Sequence, residues 1–220
     1  MRTLAILPVK RFDQAKQRLG GTLTPTARRE LAEAMVGDVL AAMGEVPELD
    51  GVIVVSGEPV ALALAGAAAA ETVADDRDHG QSEAARLGIE RARQHDCERV
   101  LLVPGDCPAL DPAEVSTLLR EGGPAPSVAI VPDRHGSGTN ALLLAPPDAI
   151  SPSFGPGSRA RHEQLALAGE ARAQVVSLPS LALDVDTGSD LAQLRALLAE
   201  HDRGAPRTRA TLKRVSSDAA

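Results

Sequence analysis

Aromatic residues are almost absent from this chain. Phe12 and Phe154 are the only two among 220 residues, and the sequence has no tryptophan or tyrosine. Proteins that bind single-stranded nucleic acid stack the bases on aromatic side chains, and a formal net charge of −7 opposes binding to a phosphate backbone. We therefore expect no nucleic-acid partner and a core built of alanine, valine and leucine.

Cysteines and long apolar runs are also scarce. Cys97 and Cys107 are the only cysteines, and they form no Cys-x-x-Cys pair, which excludes a zinc site built on paired thiolates. Two cysteines in a chain of this size fit a reducing compartment. The run Val60–Ala70 is too short to cross a membrane, and residues 1–9 meet Lys10-Arg11 too early for a signal peptide. The sequence predicts a cytoplasmic protein without a membrane partner.

Short aliphatic segments alternate with helical segments along residues 1–202. Thr3–Pro8, Gly51–Ser56 and Val100–Val103 are typical of buried strands, and the connections between such strands are long enough to contain helices. This alternation predicts one α/β domain with a single, doubly wound, mostly parallel sheet.

Two parts of the chain depart from this alternation. The stretch between Pro132 and Ser158 is less regular. We expect it to form a flap on the acceptor side of the same domain, which could include an antiparallel edge strand. Residues 203–220 contain five Lys or Arg and one Asp without hydrophobic periodicity. Such a composition predicts a basic, disordered tail.

One carboxylate follows the central aliphatic segment directly. Val100–Val103 predicts a strand buried on both faces, and Pro104-Gly105 then delivers Asp106 to its end. Asp111-Pro112 is typical of an N-cap and first turn, so a helix should begin there. Because open α/β sheets bind ligands at the carboxyl ends of their strands, Asp106 is predicted to hold a divalent metal on a nucleotide.

Two further carboxylates occur near the end of the domain, in Leu183–Thr187. Asp184 and Asp186 share one face if this segment is extended, because side chains alternate along a strand. Such a pair repels unless a cation lies between its members. Asp186 or Thr187 could instead cap the helix that begins near Gly188, but with Asp106 at a strand end we favour metal binding by at least one of the pair.

Cations follow the first strand, on a loop predicted at the same edge of the sheet. Lys10, Lys16 and Arg18 could neutralise nucleotide phosphates and a departing pyrophosphate, with Lys16 and Arg18 as the catalytic candidates. The loop lacks the Gly-Lys-Ser/Thr of a Walker motif. The alternative is an ordinary solvated basic loop.

Small residues mark three more candidate contacts. Gly80 and Ser82 open a helix, where free amides bind anions, although Ser82 could be a simple N-cap. Gly138-Thr139-Asn140 and Gly155 to Ser158 could bind a carboxylate or phosphate through amides and hydroxyls, and their alternative is ordinary turn chemistry. The flanking histidines, His135 and His162, are interpreted as surface or supporting residues rather than ligands.

Five motifs of this chain occur together in a recognisable order. They are Pro8-Val9-Lys10 with Ala15-Lys16-Gln17-Arg18-Leu19, Pro104-Gly105-Asp106-Cys107-Pro108, Pro132-Asp133-Arg134-His135-Gly136-Ser137-Gly138-Thr139-Asn140-Ala141-Leu142, Phe154-Gly155-Pro156-Gly157-Ser158 and Leu183-Asp184-Val185-Asp186-Thr187. Together they resemble the guanylyltransferases of coenzyme F-420 biosynthesis, the phosphoenolpyruvate or 2-phospho-L-lactate guanylyltransferase family. The resemblance covers about residues 1–200. Gln17 and Gln81-Ser82 depart from the family pattern on the nucleotide side.

The resemblance implies a fold of the nucleotidyltransferase, nucleotide-diphospho-sugar transferase-like type. It also implies GTP and a three-carbon phospho-acid as substrates, Mg²⁺ as cofactor, pyrophosphate as a product and a downstream transferase of the same pathway as a partner. By the same resemblance, Thr139, Gly155 and Ser158 would hold the acceptor. Magnesium would be held by Asp106, Asp184 and Asp186.

Three other functions stay open at this point. One is nucleotidyl transfer to another acceptor, such as a sugar phosphate or the molybdenum cofactor. Another is a family-A-like glycosyltransferase, which the sequence disfavours because Cys107-Pro108, and no second acid, follows Asp106. The third is a subunit that binds a nucleotide without catalysis.

Overall fold

The strand that precedes Asp106 lies in the middle of the sheet, beside the first strand of the chain. In the computed structural model, which describes residues 1–13, 15–200 and 203–217, the strands are β1 (Thr3–Val9), β2 (Gly51–Ser56), β3 (Glu71–Ala74), β4 (Arg99–Leu102), β5 (Ser127–Pro132), β6 (Thr139–Ala145) and β7 (Arg172–Val175). Within these described residues they form one seven-stranded sheet in the order β3-β2-β1-β4-β6-β5-β7.

Most pairings in the sheet are parallel, as predicted. β1 pairs in parallel with β2 and β4, β2 with β3, and β5 with β7, whereas β6 runs antiparallel to both β4 and β5. The expectation of an antiparallel strand at the edge was wrong, because β6 is an interior strand. All seven of its residues are buried, which its aliphatic run Ala141–Ala145 allows, and the exposed edge strand is β7.

Helices cover both faces of the sheet. They are α1 (Pro25–Gly44), α2 (Pro59–Ala67), α3 (Gln81–Arg93), α4 (Pro112–Glu121), α5 (Ser158–Ala168), α6 (Pro179–Ala182), α7 (Gly188–Glu200) and α8 (Pro206–Ser217), with a short 3-10 helix at Gln17–Leu19. The short helix α6 directly precedes the segment that contains Asp184 and Asp186. No helix in the described part of the chain is long and apolar enough to span a membrane.

Alternating side chains of β4 and of Val103, which follows it, pack into two cores on opposite faces of the sheet. Leu101 and Val103 belong to the cluster that contains α1 and α4 residues, whereas Val100 and Leu102 belong to the cluster that contains α3 residues. Gly88 of α3 allows a close approach to β1, since a Cβ there would overlap the side chain of Ile6. This packing holds β1 and β4 rigidly, so the residues that follow them have defined positions.

Residues 206–217 form a helix, and the expectation of a disordered tail was wrong for this segment. The carboxylate of Asp38 in α1 accepts hydrogen bonds from the backbone N–H groups of Arg207 (3.1 Å) and Thr208 (2.7 Å), and it thereby caps α8. Ala205 and Leu212 are buried in a third cluster with residues of α1 and α7. Residues 201–202, at the predicted domain boundary, and 218–220 of the predicted tail lie outside the described residues.

Candidate active site

One edge of the sheet borders a cavity of about 650 Å³, a size within the usual range for small-molecule sites. The residues after β1 and β4 line it at one end. Because β6 is antiparallel to β4, its first residue, Thr139, lies at the same edge and lines the other end. The reversed strand thus brings an amino end and two carboxyl ends together around a single cavity.

Lys16 lies between two of the predicted carboxylates. Its Nζ is 2.5 Å from Asp106 Oδ2 and 3.0 Å from Asp186 Oδ1, and its side chain is only 6% exposed. Burial by itself lowers the pKa of Lys16, but the charges of Asp106 and Asp186 more than reverse this and raise the pKa above its usual value. The side chain is therefore an ammonium ion that bridges two carboxylates.

A backbone hydrogen bond holds the third carboxylate near this bridge. The N–H of Val185 donates to the carbonyl of Asp106 at 3.2 Å, which aligns the segment containing Asp184 and Asp186 with the end of β4. Burial, and then the charge of Asp106, raise the pKa of Asp184 above its usual value. Three carboxylates thus lie close together, two of them paired with one ammonium ion, and the excess negative charge favours a further cation.

The site fits a metal that arrives with phosphates better than a metal held by the protein alone. Asp106 Oδ1 is buried and has no hydrogen-bond partner within the described chain, so one carboxylate oxygen is free to act as a ligand. Among the described residues, no group of three or more His, Cys, Asp or Glu side chains is arranged to hold a metal ion by itself. Mg²⁺ commonly binds through one or two carboxylates together with substrate phosphates. Asp106 and Asp184 suit that mode.

The cap of α7 leaves the Asp186 carboxylate available to the site. The N–H of Thr187 donates to Asp190 Oδ2 at 2.6 Å, and the N–H of Asp190 donates to Thr187 Oγ1 at 3.3 Å. This is a capping box, and Asp186 contributes only its backbone N–H, at 3.0 Å from Asp190 Oδ2. Of the two capping candidates, Thr187 therefore caps the helix, while the 48% exposed side chain of Asp186 contacts Lys16.

Of the other residues predicted to contact the nucleotide, three line the cavity and one does not. Lys10 and Arg18 are exposed and line the cavity, as does Gly80, which precedes α3 with a left-handed φ of 97°. Ser82 differs, because its hydroxyl accepts a hydrogen bond from the N–H of Phe154 at 2.9 Å. The side chain of Ser82 therefore holds the 154–158 loop, and its neighbour Gln81 lines the cavity instead.

The predicted acceptor contacts form a second part of the cavity wall, which we call the acceptor end; the part with Lys16 and the three carboxylates is the donor end. Gly138, Thr139, Gly155 and Ser158 all line it. The N–H of Gly138 donates to Asp133 Oδ1 at 3.0 Å, and Gly155 has a φ of 109° that favours glycine. These loops expose backbone groups and small side chains, so this end can surround a compact anion closely.

Asn140 has a supporting position between the two ends. Its Nδ2 donates to the carbonyl of Leu181 at 2.7 Å and lies 3.3 Å from Asp184 Oδ1. The residue therefore holds the 181–184 segment against β6, in addition to lining the cavity. Asn140 connects the acceptor loop to the carboxylates.

Sequence reasoning missed several residues that organise the site. Asp190 accepts the hydrogen bonds of the α7 cap and forms an ion pair with Arg134, and Asp133 anchors the loop before β6. The Thr-x-x-Asp spacing of Thr187 and Asp190 is a sequence signal that could have identified the cap. His162 is fully buried against Thr139, which agrees with a supporting role and excludes a surface one.

The sequence has clear relatives among characterised protein families. Residues 3–215 match the family described as "Guanylyl transferase CofC like". The chain is 46% identical over 216 residues to the phosphoenolpyruvate guanylyltransferase of Conexibacter woesei, with 98% of this chain and 97% of the relative covered. It is 39% identical to the protein of the same name from Rubrobacter xylanophilus, with 89% and 95% covered.

Solved structures that resemble the fold are more distant in sequence. A protein of Desulfovibrio desulfuricans named as a nucleotide-diphospho-sugar transferase has a TM-score of 0.75 at 17% identity, with 99% of this chain and 96% of that chain covered. A nucleotidyl transferase from Methanothermobacter has a TM-score of 0.63 at 18% identity, with 90% and 98% covered. These likenesses confirm the predicted fold type. The sequence matches show that this α/β chain, with its carboxylates and lysine at one edge of the sheet, belongs to the CofC-like guanylyltransferase family.

Proposed function

We propose that this protein transfers the guanylyl group of GTP to the phosphate of phosphoenolpyruvate and releases pyrophosphate. The observation that carries the proposal is the shared cavity, in which Lys16 and three carboxylates lie at one end and small, hydrogen-bonding residues at the other. A nucleoside triphosphate suits the end with Lys16 and the carboxylates, and a compact phospho-acid suits the end with the small residues. The names of the relatives support this choice of donor and acceptor.

Charge neutralisation is the proposed role of the donor end. Asp106 and Asp184 would hold Mg²⁺ together with the nucleotide phosphates, with Asp186 paired to Lys16 beside them, and the metal would supply Lewis-acid stabilisation of the phosphate charge. Lys16 is already an ammonium ion at this position, so it can transfer its contacts from the carboxylates to the pyrophosphate that leaves. Arg18, and Lys10 at the rim of the cavity, add positive charge near the triphosphate.

Positioning is the proposed role of the acceptor end. The hydroxyls of Thr139 and Ser158 and the N–H of Gly155 would hold the phosphate and carboxylate of the phospho-acid, and Gly138, whose N–H is bound to Asp133, would let the chain approach it closely. The attacking phosphate oxygen is already anionic, so the reaction requires no general base. Catalysis then depends on alignment of the two substrates and on electrostatic stabilisation of the transferred group.

The product would be a phosphoanhydride between GMP and the phospho-acid. Such a bond is activated towards a second transfer, and we propose that a downstream transferase of coenzyme F-420 biosynthesis uses it. Location in the cytoplasm stays a prediction from the sequence.

A pyrophosphate-release screen tests the proposed function. The purified chain with Mg²⁺ would be given GTP, CTP or ATP in combination with phosphoenolpyruvate, 2-phospho-L-lactate or 3-phosphoglycerate, and the nucleotide product would be identified by mass spectrometry. We expect the fastest release with GTP and phosphoenolpyruvate. Preference for 2-phospho-L-lactate would replace phosphoenolpyruvate as the acceptor, whereas no release with any of the three phospho-acids would contradict the proposal.

A further inference from the structure

His162 is a fully buried histidine that connects the two acceptor loops. It lies in α5, and its exposed fraction is 0%. One ring nitrogen, Nδ1, is 3.0 Å from the hydroxyl of Thr139 at the start of β6. The other, Nε2, is 2.9 Å from the backbone nitrogen of Ser153. The edge of the Phe154 ring packs against it, with 5.4 Å between ring centroids.

The backbone determines which nitrogen of this ring carries the proton. The amide of Ser153 can only donate, so Nε2 must accept and cannot carry a hydrogen. A neutral ring then carries its hydrogen on Nδ1. Burial, and next the charge of Arg161, lower the pKa of His162 to about 4, which agrees with a neutral ring at neutral pH. The tautomer follows from the fold.

This tautomer fixes the direction of the hydrogen bond to Thr139. Since Nδ1–H donates, Thr139 Oγ1 is the acceptor in this pair. The hydroxyl hydrogen of Thr139 is then free to donate elsewhere, and no acceptor for it is found among the residues that the structure describes. Thr139 lines the cavity, so its hydroxyl is available as a donor to an anion bound there.

We propose that His162 is a positioning residue of the acceptor site: as a neutral Nδ1–H tautomer it makes the Thr139 hydroxyl a donor to the acceptor anion and joins the Ser153–Ser158 loop to β6. The inference rests on the proposed function, because it takes the occupant of this end to be an anionic phospho-acid. It adds a residue that acts only through Thr139 and through the loop.

Two substitutions separate the two hydrogen bonds of the ring. In His162→Asn, the shorter amide keeps a donor near Nδ1 and loses the acceptor for Ser153. In His162→Gln, the longer amide keeps an acceptor near Nε2 and loses the donor to Thr139. We expect His162→Gln to raise the KM for phosphoenolpyruvate about tenfold or more, as for the loss of a hydrogen bond to a charged group. The KM for GTP should change less than twofold.

A double-mutant cycle with Thr139→Val distinguishes positioning from general support. If His162 acts through Thr139, His162→Gln should raise the acceptor KM of the Thr139→Val variant much less than that of the unchanged chain. Equal effects in both backgrounds would overturn the proposal, and so would a His162→Gln variant with an unchanged acceptor KM. Gln164→Ala, at an exposed position of the same helix, is the control for nonspecific disturbance of α5.

The tautomer itself can be measured without any substrate. In the ¹⁵N-labelled, unchanged protein at pH 7, the two ring nitrogens of His162 should show a protonated Nδ1 and an unprotonated Nε2, assigned by the loss of these signals in His162→Asn. A protonated Nε2 would overturn the inference even if every variant were inactive. Absence of turnover with phosphoenolpyruvate in the unchanged protein would instead contradict the proposed function, and the ring signals would still decide the state of His162.

Discussion

The two ends of the cavity stabilise their side chains in different ways. At the donor end, Lys16 bridges Asp106 and Asp186 while a buried oxygen of Asp106 has no partner within the described chain. At the acceptor end, the N–H of Gly138 and the hydroxyl of Thr139 already have protein partners that fix their orientation. The donor end therefore has unbalanced charge that a ligand must compensate, whereas the acceptor end is preorganised before a ligand arrives.

This difference indicates how each end should respond to substitution. Removal of a charge at the donor end should affect turnover most, because the charges act on the transferred group. A small displacement at the acceptor end should affect acceptor binding most, because geometry is its main contribution. Measurements of kcat and of the two KM values separate these responses.

Asp106→Asn should have the largest effect. We expect kcat to fall by about a thousandfold, because the substitution removes a carboxylate from the centre of the proposed metal site while it keeps the size of the side chain. Asp111→Asn is the matched control, since Asp111 only caps α4 and asparagine caps equally well. Near-normal turnover of Asp106→Asn at saturating Mg²⁺ would remove Asp106 from the mechanism.

Lys16→Met should have the next largest effect, with kcat reduced by about a hundredfold and the KM for the acceptor nearly unchanged. The methionine keeps the length of the side chain and removes the charge that would stabilise pyrophosphate. Arg11→Met serves as the control, because Arg11 belongs to the same loop and is not among the residues that line the cavity. If both variants lose activity equally, the loop contributes only general positive charge.

The carboxylates and the lysine were predictable from the sequence because each follows a local rule. Asp106 comes directly after an aliphatic strand, and Asp184 and Asp186 alternate in an extended segment. An antiparallel strand between Pro132 and Ser158 was expected, but the interior position of β6 was not predictable, since its aliphatic run does not say which strands it pairs with. The capping of α8 depends on Asp38, which lies 169 and 170 positions before the amides that it binds. Contacts of that range leave no signal within a local window of sequence.

Gly138→Ala should have a moderate effect confined to the acceptor. A Cβ at this position would lie 2.7 Å from Asp133 Oδ2, so the anchor of the loop must move and its hydrogen bonds weaken. We expect the KM for phosphoenolpyruvate to rise about tenfold, the equivalent of about 1.4 kcal/mol, with kcat and the KM for GTP little changed. Gly66→Ala, where a Cβ meets no atom within 4 Å, should leave all three constants unaltered. A loss of kcat in Gly138→Ala would show that the two ends are not separable.

The last prediction, with the smallest effect near neutral pH, concerns how His162 makes the free energy of unfolding depend on pH. Its folded pKa of about 4 lies below the unfolded value of about 6.5, so the unfolded chain gains a proton first as the pH falls. The contribution of the neutral His162 ring to the free energy of unfolding is therefore complete above about pH 6.5. It decreases by up to about 3 kcal/mol as the pH falls to 4. Urea unfolding of the unchanged chain and of His162→Asn at pH 7.5, 5.5 and 4.5 measures the difference. Parallel pH dependence of the two proteins would contradict a neutral buried ring.

The antiparallel direction of β6 lets a short connection carry part of the acceptor end. A parallel strand at this position would need a long crossover over the sheet, whereas β5 and β6 are adjacent and are joined by residues 133–138 alone. The loop that holds Gly138 is thus a hairpin connection, and its replacement would leave the crossovers that carry Lys16 and Asp106 in place. Exchange of this hairpin and the 153–158 loop is therefore expected to change the acceptor preference, provided that Arg134 and Asn140, which hold Asp190 and the 181–184 segment, are kept.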